Sequence, residues 1–217
     1  MKIYKGHIIF TQEPTRFNII ENGYIAVKDG IIQGVYSSLP ADLQMCELTD
    51  FGDRLIIPAM NDMHVHAPQY RNQGIAMDLE LLPWLDNYTF PEETKYSELH
   101  YAERMYRRFV RELWKVGTMR SVCFATIHRE GTRRLMQIFQ RAGMGAYVGK
   151  VDMNRNSPDT LTETVEDAIR DNEALIAEFN SPSALVRPII TPRFVPSCTP
   201  ELLQACGELA RKHNLPV

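Results

Sequence analysis

His64 and His66, within Asp62-Met63-His64-Val65-His66-Ala67-Pro68-Gln69-Tyr70, carry the first chemical signal of the chain. On an extended strand, residues i and i+2 point to the same face. Two imidazoles on one face reach a single metal ion at ordinary zinc–nitrogen distances of about 2.0–2.1 Å. A metal held this way activates water, so the pair proposes metal-assisted hydrolysis. The preceding run, Leu55 to Met63, is apolar enough to form a buried strand that delivers both histidines. Two histidines at a strand end also occur as plain structural groups, so the surrounding segments must decide.

Composition narrows the field. The chain has 217 residues, 44% hydrophobic and 24% charged, with a formal charge of −3. That balance describes a globular protein with ample core, and it offers neither a nucleic acid nor a membrane surface an electrostatic partner. No apolar run approaches the ~18–20 residues of a membrane helix. The first residues pass straight into a strand pattern without a signal-peptide apolar region. Cys46, Cys123, Cys198 and Cys206 are scattered, without C-x-x-C spacing, and read as reduced thiols in a cytoplasmic protein. The missing C-x-x-C also sets the chain apart from the zinc deaminases built on H-x-E and P-C-x-x-C.

The elements that must position the histidines fall into two groups. Residues 1–57 read as a small β unit, with strands at Ile3–Phe10, Gly23–Val27 and Ile31–Tyr36 and a short one near Leu55. Asp29-Gly30 supplies the tight turn of a hairpin. From Pro58 the rhythm becomes strand, loop, helix. Strands are predicted at Ile56–His66, Met119–Thr126, Ala146–Met153 and Leu185–Thr191. Helices are predicted at Glu93–Val116, Thr132–Ala142, Leu161–Phe179 and Pro200–His213. Thr199 and Thr160 are the expected caps of the last two helices, with Pro200 at N1. On the first helix, Tyr106, Phe109, Val110, Leu113 and Trp114 form a stripe expected to pack on the sheet.

Apolar strands alternating with amphipathic helices imply an α/β fold with a parallel sheet. Four such units, residues 58–217, are half of a (β/α)8 barrel, which takes about 250 residues. The last residues look like the opening of a fifth strand, so the sequence predicts the N-terminal half of a longer protein. In such barrels functional groups sit at the C-terminal ends of strands. Those ends are polar or charged here: His64-Val65-His66, Phe124-Ala125-Thr126-Ile127-His128, Val151-Asp152-Met153-Asn154 and Thr191-Pro192-Arg193-Phe194.

Together with Leu82-Pro83-Trp84-Leu85, Tyr88-Thr89-Phe90-Pro91 and Gly149-Lys150-Val151, these segments resemble the amidohydrolase superfamily. Within it they are most similar to the guanine-deaminating branch. The resemblance implies an amidohydrolase-type barrel, here its first half, preceded by a small β-rich sandwich domain. It implies that His64 and His66 are two ligands of a single metal per subunit, zinc by expectation, with iron possible. Further ligands from strands five, six and eight, and a proton-shuttling glutamate, are expected beyond Val217, so the 217 residues alone should be inactive. The implied reaction is hydrolysis of guanine to xanthine and ammonia, in a homodimer.

Arginine's planar donor fork suits the O6/N7 edge of a purine, which makes Arg193 the candidate for that edge. Gln69 carries an amide donor and acceptor for another edge. Trp84 and Phe194 are candidates for stacking faces or pocket wall. Arg193 could instead pair with a carboxylate at the barrel mouth. His128, Asp152 and Asn154 read as structural, with His128 expected to hydrogen-bond. Strand four lacks the lysine of dinuclear relatives, which favours one metal. Two other readings stay open: another aminated or chlorinated heterocycle as substrate, and a non-catalytic half-barrel. A nucleotide-binding module lacks any Gly-rich phosphate loop or basic stripe.

Overall fold

Asp29 and Gly30 take positive φ values of 52° and 78°. They turn the chain between β2 (Arg16–Lys28) and β3 (Ile31–Tyr36), as the Asp-Gly signal predicts. β1 (Lys2–Glu13) pairs antiparallel with β2 and parallel with β4 (Glu47–Ile56), giving the order β3-β2-β1-β4. Ile3, Ile8 and Ala26 are buried in this sheet. The computed structural model describes residues 1–217, which divide into two units, Met1–Ala59 and Met60–Val217. The predicted strand Ile56–His66 is interrupted: β4 ends at Ile56 and β5 spans Met60–His66. Pro58 explains the break, because it has no N–H to donate and restrains Ile57.

The second unit is built on four parallel strands in the order β5-β6-β7-β9, with β6 at Thr118–Phe124, β7 at Gly145–Gly149 and β9 at Val186–Pro188. Two short strands, β8 (Val151–Asp152) and β10 (Thr191–Pro192), pair beyond the ends of β7 and β9. A parallel sheet of this kind is a partial barrel. Gly149 marks the split of the expected strand Ala146–Met153, since a Cβ there would lie 2.2 Å from the Thr191 hydroxyl. That hydroxyl donates to the Lys150 carbonyl at 2.6 Å.

Helices cover the sheet. Between β5 and β6 the chain forms α1 (Leu81–Trp84), a π turn (Leu85–Thr89), α2 (Phe90–Thr94) and the long α3 (Leu99–Lys115). The predicted helix Glu93–Val116 is therefore two helices, parted at Glu98, whose extended backbone precedes α3. Ala102, Met105, Tyr106, Phe109 and Val110 recur at helical spacing and are buried against α4 (Arg129–Ala142) and the sheet. Trp114 departs from the predicted stripe: it lies in the last turn and is 61% exposed. Gly143 ends α4 at φ 66°, with its N–H on the Gln140 carbonyl and that of Met144 on Phe139, a Schellman stop.

α5 (Val165–Phe179) is capped by Thr164, which accepts from the Asp167 N–H at 3.1 Å. The expected cap, Thr160, lies in a 3-10 turn four residues earlier and meets the Thr94 hydroxyl instead. α6 (Pro200–His213) starts as predicted, on Thr199 with Pro200 in its first turn. All four cysteines are free. No helix is long and apolar enough to cross a membrane.

Just past the end of β7 lies a buried ion cluster. Lys150 Nζ donates to Asp152 Oδ1 at 2.8 Å and Glu163 Oε1 at 2.6 Å, and Asn172 donates to the same Asp152 oxygen. Lys150 and Asp152 are fully buried. Lys150→Met should cost about 3–5 kcal/mol in urea unfolding, because it strands the Asp152 charge without its partner. Burial, moderated by Lys150, raises the Glu163 carboxyl to about 7 from 4.5. Between those pH values the folded state keeps a proton that the unfolded chain has released, so this group's contribution to stability falls as pH rises. Glu163→Gln should remove that part of the pH slope of the urea midpoint, and an unchanged slope would contradict the assignment.

Candidate active site

β5 does not run evenly along β6. Asp62 pairs with Ser121 and Val65 with Cys123, so three steps on one strand face two on the other. The extra residue is a bulge, a device that re-aims side chains near sites. Asp62 Oδ1 fixes it by accepting the His64 N–H at 3.1 Å. The two imidazoles then stand 5.2 Å apart between centroids, edge to face at 68°. Phe124, the last residue of β6, stacks on His66 at 4.5 Å and 17°.

Both histidines open onto a cavity of about 670 Å³, of a size that suits a small molecule. Gln69, Trp84, Arg193 and Phe194 line the same cavity. All six residues singled out in the sequence are thus brought together. Gln69 sits in a 3-10 segment, Ala67–Asn72, that follows β5 directly. Trp84, at the end of α1, donates its indole N–H to the Ile75 carbonyl at 2.9 Å and so holds the intervening loop. Arg193 follows β10, its backbone N–H donating to the Asp152 carbonyl at 3.1 Å. Phe194 packs on a cluster that includes Leu85, Phe90 and Met153.

Burial, then the Arg193 cation and then His64, lower the His66 pKa to about 3 from 6.5. His66 is therefore neutral at physiological pH, and its Nδ1 is buried with no hydrogen-bond partner. A neutral imidazole with an unclaimed nitrogen, beside a second imidazole, suits a divalent metal. The two histidines are a partial donor set, since no group of three or more His, Cys, Asp or Glu gathers here.

Two groups that contact the cavity residues escaped the sequence reading. Phe124 was only part of a strand end there. Glu93 was read as a helix residue, yet it is 2% exposed and accepts from Arg193 Nη1 at 2.5 Å and Nη2 at 3.2 Å. The carboxylate considered as an alternative partner for Arg193 is therefore present. Arg193 still faces the cavity, and its Cζ lies 5.2 Å from the centre of the Phe90 ring. The only sequence signal for Glu93 was its place beside the Phe90-Pro91 segment. The expected hydrogen bond of His128 is missing at Nε2, which is buried without a partner. Asn154 is structural as expected, pairing through its amide with the Thr199 hydroxyl and N–H.

The amidohydrolase family profile matches residues 55–217. The chain belongs to the amidohydrolase family. Among curated amidohydrolase relatives, the guanine deaminase of Dictyostelium discoideum is 37% identical over 98% of this chain and 51% of its own length. The crystal structure of guanine deaminase from C. acetobutylicum, with guanine bound in its active site, is 49% identical, with a TM-score of 0.96. It is covered over 100% of this chain and 52% of its own. Guanine deaminase from Bradyrhizobium japonicum is 31% identical, with a TM-score of 0.91 over 99% of this chain and 48% of its own. The chain spans about half the length of the relatives it matches.

An amidohydrolase is metal-dependent, and the neutral His66 suits that need. In the metal-free protein the His66 ring signals in NMR should stay those of imidazole from pH 8 down to pH 5, given its pKa of about 3. Half-protonation near the ordinary value of about 6.5 would show that the ring is not desolvated.

Proposed function

We propose that the protein to which this chain belongs hydrolyses guanine to xanthine and ammonia. The observation that carries the reading is the convergence of His64, His66, Gln69 and Arg193 on one cavity beside Trp84 and Phe194. The likeness to guanine deaminases across nearly all of this chain supports it.

In this reading His64 and His66 hold one divalent ion, zinc by the preference of imidazole, although imidazole also suits iron. When bound, such an ion lowers the pKa of a water from about 15.7 towards 7, supplying a nucleophile at neutral pH for guanine C2. The remaining work of this chain is placement. Arg193 donates to the acceptor edge of the purine, and Gln69 takes a neighbouring edge. Trp84 and Phe194 flank the ring and keep bulk water away from the reacting carbon. The proton transfers fall to a carboxylate outside the two-histidine set. The free cysteines accord with a cytoplasmic enzyme. We assign it as a homodimer with one metal per subunit, as in the family resemblance.

The test is a guanine-to-xanthine absorbance assay on the metal-loaded enzyme, with metal content measured alongside. His64→Ala should lose metal and activity together. Arg193→Ala should keep the metal and lose about 1–3 kcal/mol of transition-state binding, roughly 5–150-fold in kcat/KM. Normal kinetics in Arg193→Ala would overturn its recognition role.

A further inference from the structure

Glu93 joins two parts of the cavity that lie far apart in the chain. Its Oε2 accepts from Arg193 Nη1 and its Oε1 from Arg193 Nη2. Oε1 also accepts from Gln69 Nε2 at 3.4 Å. The side chains of Glu93 and Arg193 are 3% and 4% exposed, so this contact is screened little by solvent. The neighbouring Glu92 is engaged elsewhere, with Lys95 and the Tyr101 hydroxyl, and does not compete.

A carboxylate only accepts hydrogen bonds. Facing Glu93, the Gln69 amide must therefore turn its NH2 inward, which leaves its carbonyl oxygen as the group free to accept. The same carboxylate holds the guanidinium end-on through both terminal nitrogens. That leaves the arginine's other N–H groups, Nε–H among them, free to donate. The cavity thus presents a donor from Arg193, aimed by Glu93, and an acceptor from Gln69, whose polarity Glu93 fixes.

We infer that Glu93 is a positioning residue that sets this polarity and so selects rings bearing a C=O beside an N–H, the lactam edge of a 6-oxopurine. The inference rests on the deaminase reading and adds the basis of its selectivity. Guanine offers the O6 acceptor to Arg193 and the N1–H donor to Gln69. A ring with a bare nitrogen acceptor at N1 and no oxygen at C6 leaves both groups unpaired, which a buried site penalises.

Hypoxanthine and unsubstituted purine differ only at this edge and serve as competitive inhibitors of guanine turnover. The unsubstituted enzyme should bind hypoxanthine about tenfold or more tighter than purine, on the worth of hydrogen bonds to a charged group. Glu93→Gln, which matches the shape but can donate to Gln69 and lacks the charge, should erase most of that preference. In it the hypoxanthine Ki should rise about tenfold and the purine Ki change little, with metal content retained and Tm lowered, because the buried Arg193 loses its anionic partner. Glu93→Asp keeps an acceptor and should hold part of the preference; it carries the test if the glutamine variant does not fold. Equal weakening of both inhibitors, or no preference in the unsubstituted enzyme, would overturn the positioning role. Failure of the unsubstituted, metal-loaded enzyme to form xanthine would instead overturn the deaminase reading.

Discussion

A lysine that cannot reach water organises the strand ends of the second unit. Lys150 follows β7 with its ammonium group fully buried, and it meets Asp152 and Glu163. An ammonium group in that position is tolerated only with carboxylates at hydrogen-bond distance. Its environment fixes what surrounds it. Asp152 also takes Asn172 of α5, and its backbone carbonyl takes the Arg193 N–H. The Lys150 carbonyl takes the Thr191 hydroxyl. One buried charge thereby ties β8, β10 and a covering helix together, and sets where Arg193 leaves the sheet.

The cavity is assembled from short irregular pieces. A bulge in β5 turns the histidines, a 3-10 segment carries Gln69, and a π turn lies between the two short helices. Such interruptions of regular structure gather where side chains must be aimed. The aromatic groups serve different ends. Phe124 packs the face of His66, while the Trp84 indole spends its only donor on a loop carbonyl.

The strand-and-helix rhythm was plain in the sequence because strands such as β7 are apolar and largely buried and the helices amphipathic, as α3 and α4 are. β5 departs from the expected buried strand: Met60 and Met63 are exposed. The ends of elements were less plain. Pro58 split one strand, and α5 began at Val165 because Thr164, not Thr160, meets a free backbone N–H. The cavity residues were legible from strand-end polarity and from resemblance. Glu93 was not, because its partners lie 24 and 100 residues away and nothing local distinguishes it from Glu92. Trp114 failed for the opposite reason: helical spacing placed it on the buried stripe, but it is 61% exposed, while Leu113 beside it packs on the core.

The Glu93–Arg193 pair spans 100 residues of chain, and that distance has a consequence in time. Closing a flexible loop of that length costs configurational entropy that grows as about (3/2)RT ln n, so the contact is disfavoured until β6, β7 and β9 have paired. Ribosomes add roughly 5–20 residues per second, so Arg193 follows Glu93 out by about 5–20 s. During that interval the carboxylate stays hydrated, and α2 has no cation to draw it inward. The Glu93–Arg193 contact is therefore late relative to the pairing of β5 to β9, made when β10, which Arg193 follows, docks beside β8.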